Sequence, residues 1–163
     1  MDDRVDVGVL GATGAVGRRL IQLLERHPLF RLGEVCGSAA SVGKTLCERL
    51  GAGADGFSSE TAGLRLQAPD GPWTSSILLS ALPSGPAQEL EVQLAEAGHL
   101  VVSNASAHRM GELVPLIIPE VNSNHLDLVA RQPWKGALVT NPNCAAVGLV
   151  MALAPLHETF GVE

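Results

Sequence analysis

The sequence predicts an α/β fold with a doubly wound, mostly parallel sheet. Short apolar runs alternate along the chain with segments that have helical spacing. The apolar runs are nearly continuous, as in strands that are covered on both faces of a sheet. A glycine-rich turn joins the first apolar run to the first helical segment. The length of 163 residues suits one domain of this kind.

The first half of the chain contains four of the predicted strands. Residues 15–27 place apolar side chains at helical spacing, and Pro28 stops this helix. Residues 49–63 are rich in Gly, Ser and Ala and are predicted to form a loop. The strands are predicted at VDVGVL (5–10), RLGEVCGS (31–38), LRLQA (64–68) and SSILLSALP (75–83).

The second half continues the alternation of strand and helix. A helix is predicted over residues 86–98, closed by Gly98. The prolines of residues 113–122 indicate an interrupted extended segment. The remaining predicted elements are the strands HLVVSNA (99–105) and GALVTNPN (136–143) and the helix CAAVGLVMALAPLHETF (144–160).

Composition excludes several classes of function. The net charge of −6 argues against a nucleic-acid partner. No run of 18 apolar residues predicts a membrane span, and the acidic N-terminus has the wrong sign for a secretory signal. Three widely spaced cysteines indicate free thiols in a reducing, cytoplasmic setting. No spacing of His, Cys, Asp or Glu suggests a metal site.

The glycine-rich turn predicts a dinucleotide site. Gly11, Gly14 and Gly17 have the spacing G-x-x-G-x-x-G between a strand and a helix. Glycine lets backbone N–H groups approach a phosphate, and the helix N-terminus adds partial positive charge. The alternative is a plain strand-to-helix turn whose glycines serve packing.

The residues after the second strand bear on the choice between NADP and NAD. An acid at the tip of that strand would bind the ribose hydroxyls of NAD, but Glu34 is expected inside the strand. The tip offers Ser38, Ser41 and Lys44 to a 2′-phosphate, and no acid opposes one. This pattern favours NADP, with NAD possible. A solvated loop with incidental serines is the alternative.

Cys144 is predicted where a strand becomes a helix. A helix N-terminus favours the thiolate, which is the nucleophilic form of cysteine. Asn143 and the Cys144 backbone N–H could donate to a developing oxyanion. Attack on an activated acyl group would give a thioester that a nicotinamide could reduce. The alternative is a buried, inert thiol.

Five motifs together resemble aspartate-semialdehyde dehydrogenase, in the branch found in archaea, fungi and some bacteria. They are GVLGATGAVG, SALPS, SNASAHRM, PLIIPEVN and VTNPNC. The motifs follow the family's order over roughly residues 5–158. The combination of SNASAHR with NPNC is specific, whereas the glycine turn is not.

The resemblance implies NADP-dependent reduction of aspartyl-β-phosphate to aspartate β-semialdehyde, with release of phosphate. Cys144 matches the acylated nucleophile, and Asn143 the residue that helps to hold the substrate carbonyl. Arg109 matches the arginine that binds the leaving phosphate. Ser84 and Asn104 match positions near the nicotinamide side of the cleft. The residues that match the cofactor turn are Gly11, Thr13, Gly14, Ala15 and Val16.

Two positions depart from the family pattern. The family often has an arginine on the 2′-phosphate where this chain has Ala40. It also often has Ser-Thr after the nucleophile, where this chain has Ala145 and Ala146.

The resemblance also predicts the domain organisation. Residues 1–143 would form the NAD(P)-binding domain, and residues 144–163 the nucleophile helix at the start of a second α+β domain that is absent. In the family that second domain carries the general-base histidine, the arginine for the substrate carboxylate and most of the dimer interface. The full-length family is expected to be homo-oligomeric.

Other functions remain open at the level of sequence. N-acetyl-γ-glutamyl-phosphate reductase and acyl-CoA reductases such as malonyl-CoA reductase would use a similar site. A catalytically silent dinucleotide-binding fragment is the alternative from another class.

Overall fold

The computed structural model describes residues 3–161 and contains one six-stranded sheet. Each strand forms where the sequence has an apolar run. Four of the six strands are only four residues long or shorter, because the chain leaves the sheet soon after each apolar run. The strands are Val5–Leu10 (β1), Phe30–Cys36 (β2), Leu66–Gln67 (β3), Ile77–Ser80 (β4), Leu100–Ser103 (β5) and Ala137–Thr140 (β6).

The sheet is parallel throughout, with the strand order β3-β2-β1-β4-β5-β6. The chain moves outward from β1 to β3 and then returns to add β4 on the other side of β1. The order therefore reverses between β1 and β4, the place where open α/β sheets bind ligands beyond the carboxyl ends of their strands. The predicted doubly wound α/β fold is confirmed.

The described residues contain six α-helices, of which five lie between strands and the sixth follows β6. The helix predicted over residues 144–160 has the predicted bounds, whereas the first helix ends three residues early. The cause is His27, whose Nδ1 accepts hydrogen bonds from the backbone N–H groups of Leu29 and Phe30 and so turns the chain toward β2. The helices are Ala15–Leu24 (α1), Leu46–Leu50 (α2), Ser59–Gly63 (α3), Ser84–Ala97 (α4), Pro119–Asn122 (α5) and Cys144–Phe160 (α6).

The loop prediction for residues 49–63 is wrong in part. The end of α2, a 3-10 turn at Gly51–Ala54 and α3 occupy most of that segment. Local caps start both helices: Thr45 and Glu48 form a capping box for α2, and Ser58 caps α3. Composition rich in Gly, Ser and Ala conceals α3, whereas only the last two residues of α2 fall in this segment.

The extended segment predicted at residues 113–122 also ends early. Pro119 occupies the first position of α5, where its missing N–H leaves no partner unsatisfied. The Asn122 side chain folds back and bonds both the Leu116 carbonyl and the Ile118 N–H. A 3-10 segment, Ser123–Arg131, then leads toward β6.

Apolar clusters cover both faces of the sheet, as the continuous apolar strands predict. One cluster includes Leu78, Val101 and Leu138 from three neighbouring strands. Trp73 joins it, because Gly8 in β1 leaves room for the indole: a Cβ there would lie 2.6 Å from the ring. The second cluster packs α1 and α2 against the other face through Val7, Val9, Ile21, Val35 and Leu46.

Candidate active site

The carboxyl ends of four adjacent strands bring the predicted site residues to one edge of the sheet. The glycine turn follows β1, and Ser84 begins the helix after β4. Asn104 and Arg109 follow β5, and Cys144 follows β6. Because these strands are parallel neighbours, all of these segments leave the same edge.

In the glycine turn, backbone atoms of neighbouring segments pack directly against each other. Gly11 has a φ of +73°, and a Cβ there would lie 2.7 Å from the Ala81 carbonyl oxygen. Gly17 is buried, and a Cβ on it would overlap the Gly11 carbonyl. Gly14 is the N-cap of α1, and no side chain caps this helix end. The first-turn N–H groups of α1, at Ala15 and Val16, are thus free of side-chain caps and suited to an anion.

A cleft of about 370 Å³ opens beside the turn. Its volume falls in the range of small-molecule sites, which is roughly 300–1,000 Å³. The lining combines the glycine turn, the tip of β2 and the segment after β4. The lining residues are Gly11, Thr13, Gly14, Gly37, Ser38, Pro69, Ala81, Leu82, Pro83 and Pro86.

The tip of β2 carries hydroxyls and a cation instead of an acid. Glu34 lies inside β2, as expected, and its carboxylate accepts hydrogen bonds from Thr74 and Ser75. Ser38 lines the cleft, and its Oγ lies 3.2 Å from the Oγ of Ser41. Ser41 is buried, and it accepts a 2.9 Å hydrogen bond from Nε of Arg49.

Arg109 joins the loops that follow β5 and β6. Its Nε donates to the Asn141 carbonyl and its Nη2 to the Asn104 carbonyl, both at 2.9 Å. Asn141 Nδ2 donates to Asn104 Oδ1 at 3.1 Å. Ser84 Oγ lies 2.7 Å from Ser106 Oγ, which ties the start of α4 to the same loop. A guanidinium held in this way can still present its remaining N–H groups to an anion.

Cys144 is exposed at the first position of α6. Asn143 precedes it as the N-cap, and its Oδ1 accepts a 2.9 Å bond from the Ala145 N–H. This bond orients the Asn143 side chain and leaves its Nδ2 as the group that can donate to an oxyanion. Cys36, by contrast, is buried, and burial raises the pKa of its thiol to about 11.

Two functional candidates escaped the sequence analysis. Asn141 lies within the quoted motif VTNPNC, but its bond to Arg109 depends on tertiary structure. Glu91 is fully buried in α4, where it accepts a 2.8 Å bond from Ser103 Oγ and lies 3.8 Å from His108 Nε2. The signal for Glu91 was available, since it shares the buried face of α4 with Ala87 and Leu94.

No cluster of three or more His, Cys, Asp or Glu side chains within residues 3–161 is arranged to hold a metal ion. Over the same range, the helices are all too short or too polar to cross a membrane.

A family profile described as "Semialdehyde dehydrogenase, NAD binding domain" matches residues 6–129. The chain belongs to this semialdehyde dehydrogenase family. The match spans β1 to β5 and so contains the glycine turn, the cleft and Arg109.

Curated relatives extend the similarity beyond that domain. An aspartate-semialdehyde dehydrogenase of Archaeoglobus fulgidus is 46% identical over 95% of this chain and 47% of its own length. That of Saccharomyces cerevisiae is 37% identical over 94% of the chain. A malonyl CoA reductase (NADP) of Metallosphaera sedula is 36% identical over 93% of the chain. The chain spans about half the length of these three relatives.

Solved structures agree with the fold. An aspartate semialdehyde dehydrogenase with NADP from Candida albicans has a TM-score of 0.86 at 31% identity, over 98% of this chain and 48% of that one. The Vibrio cholerae aspartate semialdehyde dehydrogenase II complexed with ASA has a TM-score of 0.78 at 27% identity, over the same shares.

Proposed function

We propose that the chain carries the cofactor site and the nucleophile of an NADP-dependent aspartate-semialdehyde dehydrogenase, which reduces aspartyl-β-phosphate to aspartate β-semialdehyde. The proposal rests on the exposed position of Cys144, at the start of α6 on the same sheet edge as the glycine turn. The name of the Archaeoglobus relative and the NADP complex of the Candida structure support it.

The chain's residues fit a dinucleotide at the glycine turn. Gly11 and Gly17 bring the backbone close enough that a Cβ at either position would clash. The uncapped N-terminus of α1 would hold the pyrophosphate through Ala15 and Val16, with Thr13 and Ser38 on the cleft wall. When bound, the nicotinamide cofactor supplies the hydride that reduces an acyl group.

Cys144 performs the covalent chemistry. Its thiolate attacks the acyl carbon, a C–S bond forms, the C–O bond to phosphate breaks, and phosphate leaves with the bonding electrons. The product of this half-reaction is a thioester on Cys144. With hydride supplied by a bound nicotinamide, the C–S bond to Cys144 would break, the aldehyde would leave, and Cys144 would return to the thiolate.

Arg109 and Asn143 stabilise the charges that develop in this step. Arg109 is already oriented by Asn104 and Asn141, so its remaining N–H groups meet the phosphate without reorganisation. Asn143 Nδ2 and the Cys144 backbone N–H donate to the acyl oxygen as it gains charge. Neither Ala145 nor Ala146 offers a hydroxyl, so the pocket beyond the sulfur is less polar than the family pattern.

The proposal also includes a division into two domains and a location in the cytoplasm. Residues 1–143 act as the cofactor domain, and residues 144–163 begin the domain that completes the substrate site and the homo-oligomer interface. Cys36, Cys47 and Cys144 are all free thiols, in keeping with a reducing cytoplasm.

A second candidate function is reduction of an acyl-CoA. The observation in its favour is the similarity to the malonyl CoA reductase of Metallosphaera sedula. The same cysteine would accept the acyl group, and a CoA thiol would replace phosphate as the leaving group. Arg109 would then have no phosphate to release.

The test measures acyl transfer to the cysteine directly. The protein is incubated with aspartyl phosphate or malonyl-CoA, and the mass gain at Cys144 is located by peptide mass spectrometry. We expect an adduct from aspartyl phosphate that is absent in Cys144→Ala and strongly reduced in Arg109→Ala. NADPH should then be oxidised as the adduct disappears.

Three other results would redirect the proposal. An adduct from malonyl-CoA alone would favour the acyl-CoA reductase. Cofactor binding without any adduct would leave a dinucleotide-binding module. An adduct that persists in Cys144→Ala would place the acylated residue elsewhere and overturn the mechanism.

A further inference from the structure

We propose that Arg49, on α2, is the residue that selects NADP over NAD by binding its 2′-phosphate. This inference rests on the proposed function, in that it takes the glycine turn as the dinucleotide site. It concerns a position that lies outside the family pattern, in which an arginine is expected at residue 40 and Ala40 stands instead.

The guanidinium of Arg49 is held at the tip of β2. Its Nε donates to Ser41 Oγ at 2.9 Å, and Ser41 is 1% exposed, so a rigid buried side chain fixes the arginine. Ser41 Oγ lies 3.2 Å from Ser38 Oγ, and Ser38 lines the cleft beside the glycine turn. Arg49, Ser41 and Ser38 therefore form a polar chain that leads from α2 to the cofactor cleft.

The terminal nitrogens of Arg49 are available to an anion. Only the Nε bond to Ser41 joins this side chain to the part of the molecule that the structure describes. A guanidinium with one edge fixed and the other free is well suited to bidentate contact with a phosphate. Ser38 Oγ supplies a further hydroxyl beside it.

No carboxylate competes for this place. Glu34, the nearest acid before the tip, is engaged by the backbone N–H groups of Thr74 and Ser75 and by the Ser75 hydroxyl. Glu48 is engaged in the capping box of α2, where it accepts a 2.7 Å bond from the Thr45 N–H. An acid free to accept from ribose hydroxyls, as an NAD site requires, is absent from residues 37–47.

Neighbouring cations strengthen the local potential. Lys44 is exposed in the same turn, and Arg65 Nη1 donates to the Gly43 carbonyl at 2.8 Å. Three cations and one carboxylate, Glu48, which interacts with Lys44 and Arg65, thus lie around a short hydroxyl-bearing turn, so the local charge is positive in a protein whose net charge is −6. Such a concentration of positive charge favours a dianionic group over a pair of neutral hydroxyls.

The test compares two ligands that differ only in the 2′-phosphate: 2′,5′-ADP, and 5′-AMP, which lacks it. Their dissociation constants are measured by calorimetry for the unaltered chain and its variants. We expect Arg49→Ala to weaken 2′,5′-ADP binding by about 10–100-fold, as loss of a bidentate charged contact does, and 5′-AMP binding by less than about 2-fold. Arg49→Lys should fall between, because an ammonium lacks the fork.

Arg19→Ala is the matched control, since Arg19 is an exposed arginine on α1 that bonds Gln22. It should change neither dissociation constant. Restoring an arginine at the family position, with Ala40→Arg in the Arg49→Ala background, should recover most of the lost selectivity. Circular dichroism and thermal melting confirm that each variant is folded.

The measurements distinguish a failure of the Arg49 role from a failure of the cofactor site. Normal 2′,5′-ADP binding in Arg49→Ala, or an equal loss for both ligands, overturns the role of Arg49 and leaves the dinucleotide site intact. If the unaltered chain binds neither ligand, the proposed cofactor site fails and the role of Arg49 fails with it.

Discussion

At the scale of single residues, the three thiols differ in exposure and should differ in reactivity. Cys144 and Cys47 are exposed, whereas Cys36 is buried and its pKa is raised to about 11. We expect iodoacetamide at neutral pH to modify Cys144 fastest and Cys36 at least about 100-fold more slowly, because the thiolate is the reactive form. Peptide mass spectrometry over a time course measures the three rates.

Cys47 is the internal control for this prediction, since it is an exposed thiol with no proposed role. A rate at Cys144 no greater than that at Cys47 would count against an activated nucleophile. Fast modification of Cys36 would show that the β2 core opens readily.

Glu34 gives a residue-scale prediction about pH. Burial alone would raise the pKa of its carboxyl, but hydrogen bonds from Ser75 and Thr74 outweigh burial and lower it from the ordinary 4.5. A lowered pKa in the folded state stabilises the fold above pH 4.5, and this stabilisation disappears as the pH falls through the folded-state pKa.

Glu34→Gln should therefore reduce the free energy of unfolding at pH 7 by about 1–2 kcal/mol, the usual scale for charged hydrogen bonds that are partly exposed. The same variant should flatten the pH dependence of stability below pH 4.5. Denaturant unfolding between pH 3 and 8 measures both effects. Glu89→Gln, at an exposed position in α4, is the control; an equal loss there would assign the effect to net charge.

At the scale of elements, the close approach of α1 to β1 depends on Gly17. A Cβ on Gly17 would overlap the Gly11 carbonyl, so Gly17→Ala must displace the helix start. We expect a loss of about 1–3 kcal/mol in stability, as overpacking gives, and loss of 5′-AMP binding. Calorimetric titration and thermal unfolding measure the two consequences.

Gly148→Ala is the matched control, because a Cβ on Gly148 in α6 meets nothing within 4 Å. It should leave nucleotide binding unchanged and should stabilise the chain by up to about 1 kcal/mol through helix propensity. Nucleotide binding by Gly17→Ala at the level of this control would contradict the assignment of the turn.

The link between α4 and β5 depends on a buried serine. Ser103 Oγ donates to Glu91 Oε1 and accepts from the Ala105 N–H, whereas Glu91 Oε2 has no hydrogen-bond partner in the described structure. Ser103→Ala would leave the buried carboxyl without this donor. We expect it to reduce the free energy of unfolding by about 2–3 kcal/mol.

Urea unfolding measures this loss, and Ser76→Ala, at an exposed serine before β4, should stay within about 0.5 kcal/mol of the unaltered chain. A Ser103→Ala variant as stable as Ser76→Ala would mean that other contacts, such as His108, satisfy Glu91.

A helix or strand is predictable from the sequence when the residues that determine it are close to it in the chain and form a clear pattern. The apolar runs of β1, β4, β5 and β6 predict strands because both faces of the sheet are covered. The start of α6 is predictable because Asn143, its cap, is adjacent in sequence. The short helix α3 lies within a segment whose composition is typical of loops, and α2, which Thr45 starts, is only five residues long and so too short to show a helical period.

Some residues of the candidate site are likewise predictable from local sequence, whereas the contacts of others depend on tertiary structure. The glycine turn and Cys144 are legible in local sequence, because a turn and a helix start are local structures. Arg109 was assigned by resemblance, but its orientation comes from Asn141, 32 residues away. Arg49 bonds Ser41 across a turn and a helix, and no periodic pattern reports such a contact.

At the scale of the whole molecule, α6 is an apolar helix with no buried residue. Its exposed side chains include Leu149, Met151, Leu153, Leu156 and Phe160, the last at 80% exposure. An uncovered apolar surface of this kind promotes association between copies. We expect the chain to self-associate as its concentration rises, which light scattering and sedimentation velocity measure.

Replacing Leu149 and Phe160 together by Gln should shift the chain toward monomer without changing 5′-AMP binding. Leu23→Gln is the control, since Leu23 is an exposed leucine on α1, outside α6. A stable monomer of the unaltered chain at high concentration would contradict this prediction.

The pairing of Ser103 with Thr140 between β5 and β6 also determines where Arg109 is held. Asn104 follows Ser103 and Asn141 follows Thr140. The same alignment therefore places the carbonyls of these two asparagines side by side, where both accept hydrogen bonds from Arg109. A slip of one residue between these strands would move the two carbonyls apart by one residue and turn the side chains of the slipped strand to the other face of the sheet. The alignment of β5 with β6 therefore fixes the orientation of Arg109, and a chain with native strand content but a shifted β6 would hold this guanidinium in a different place.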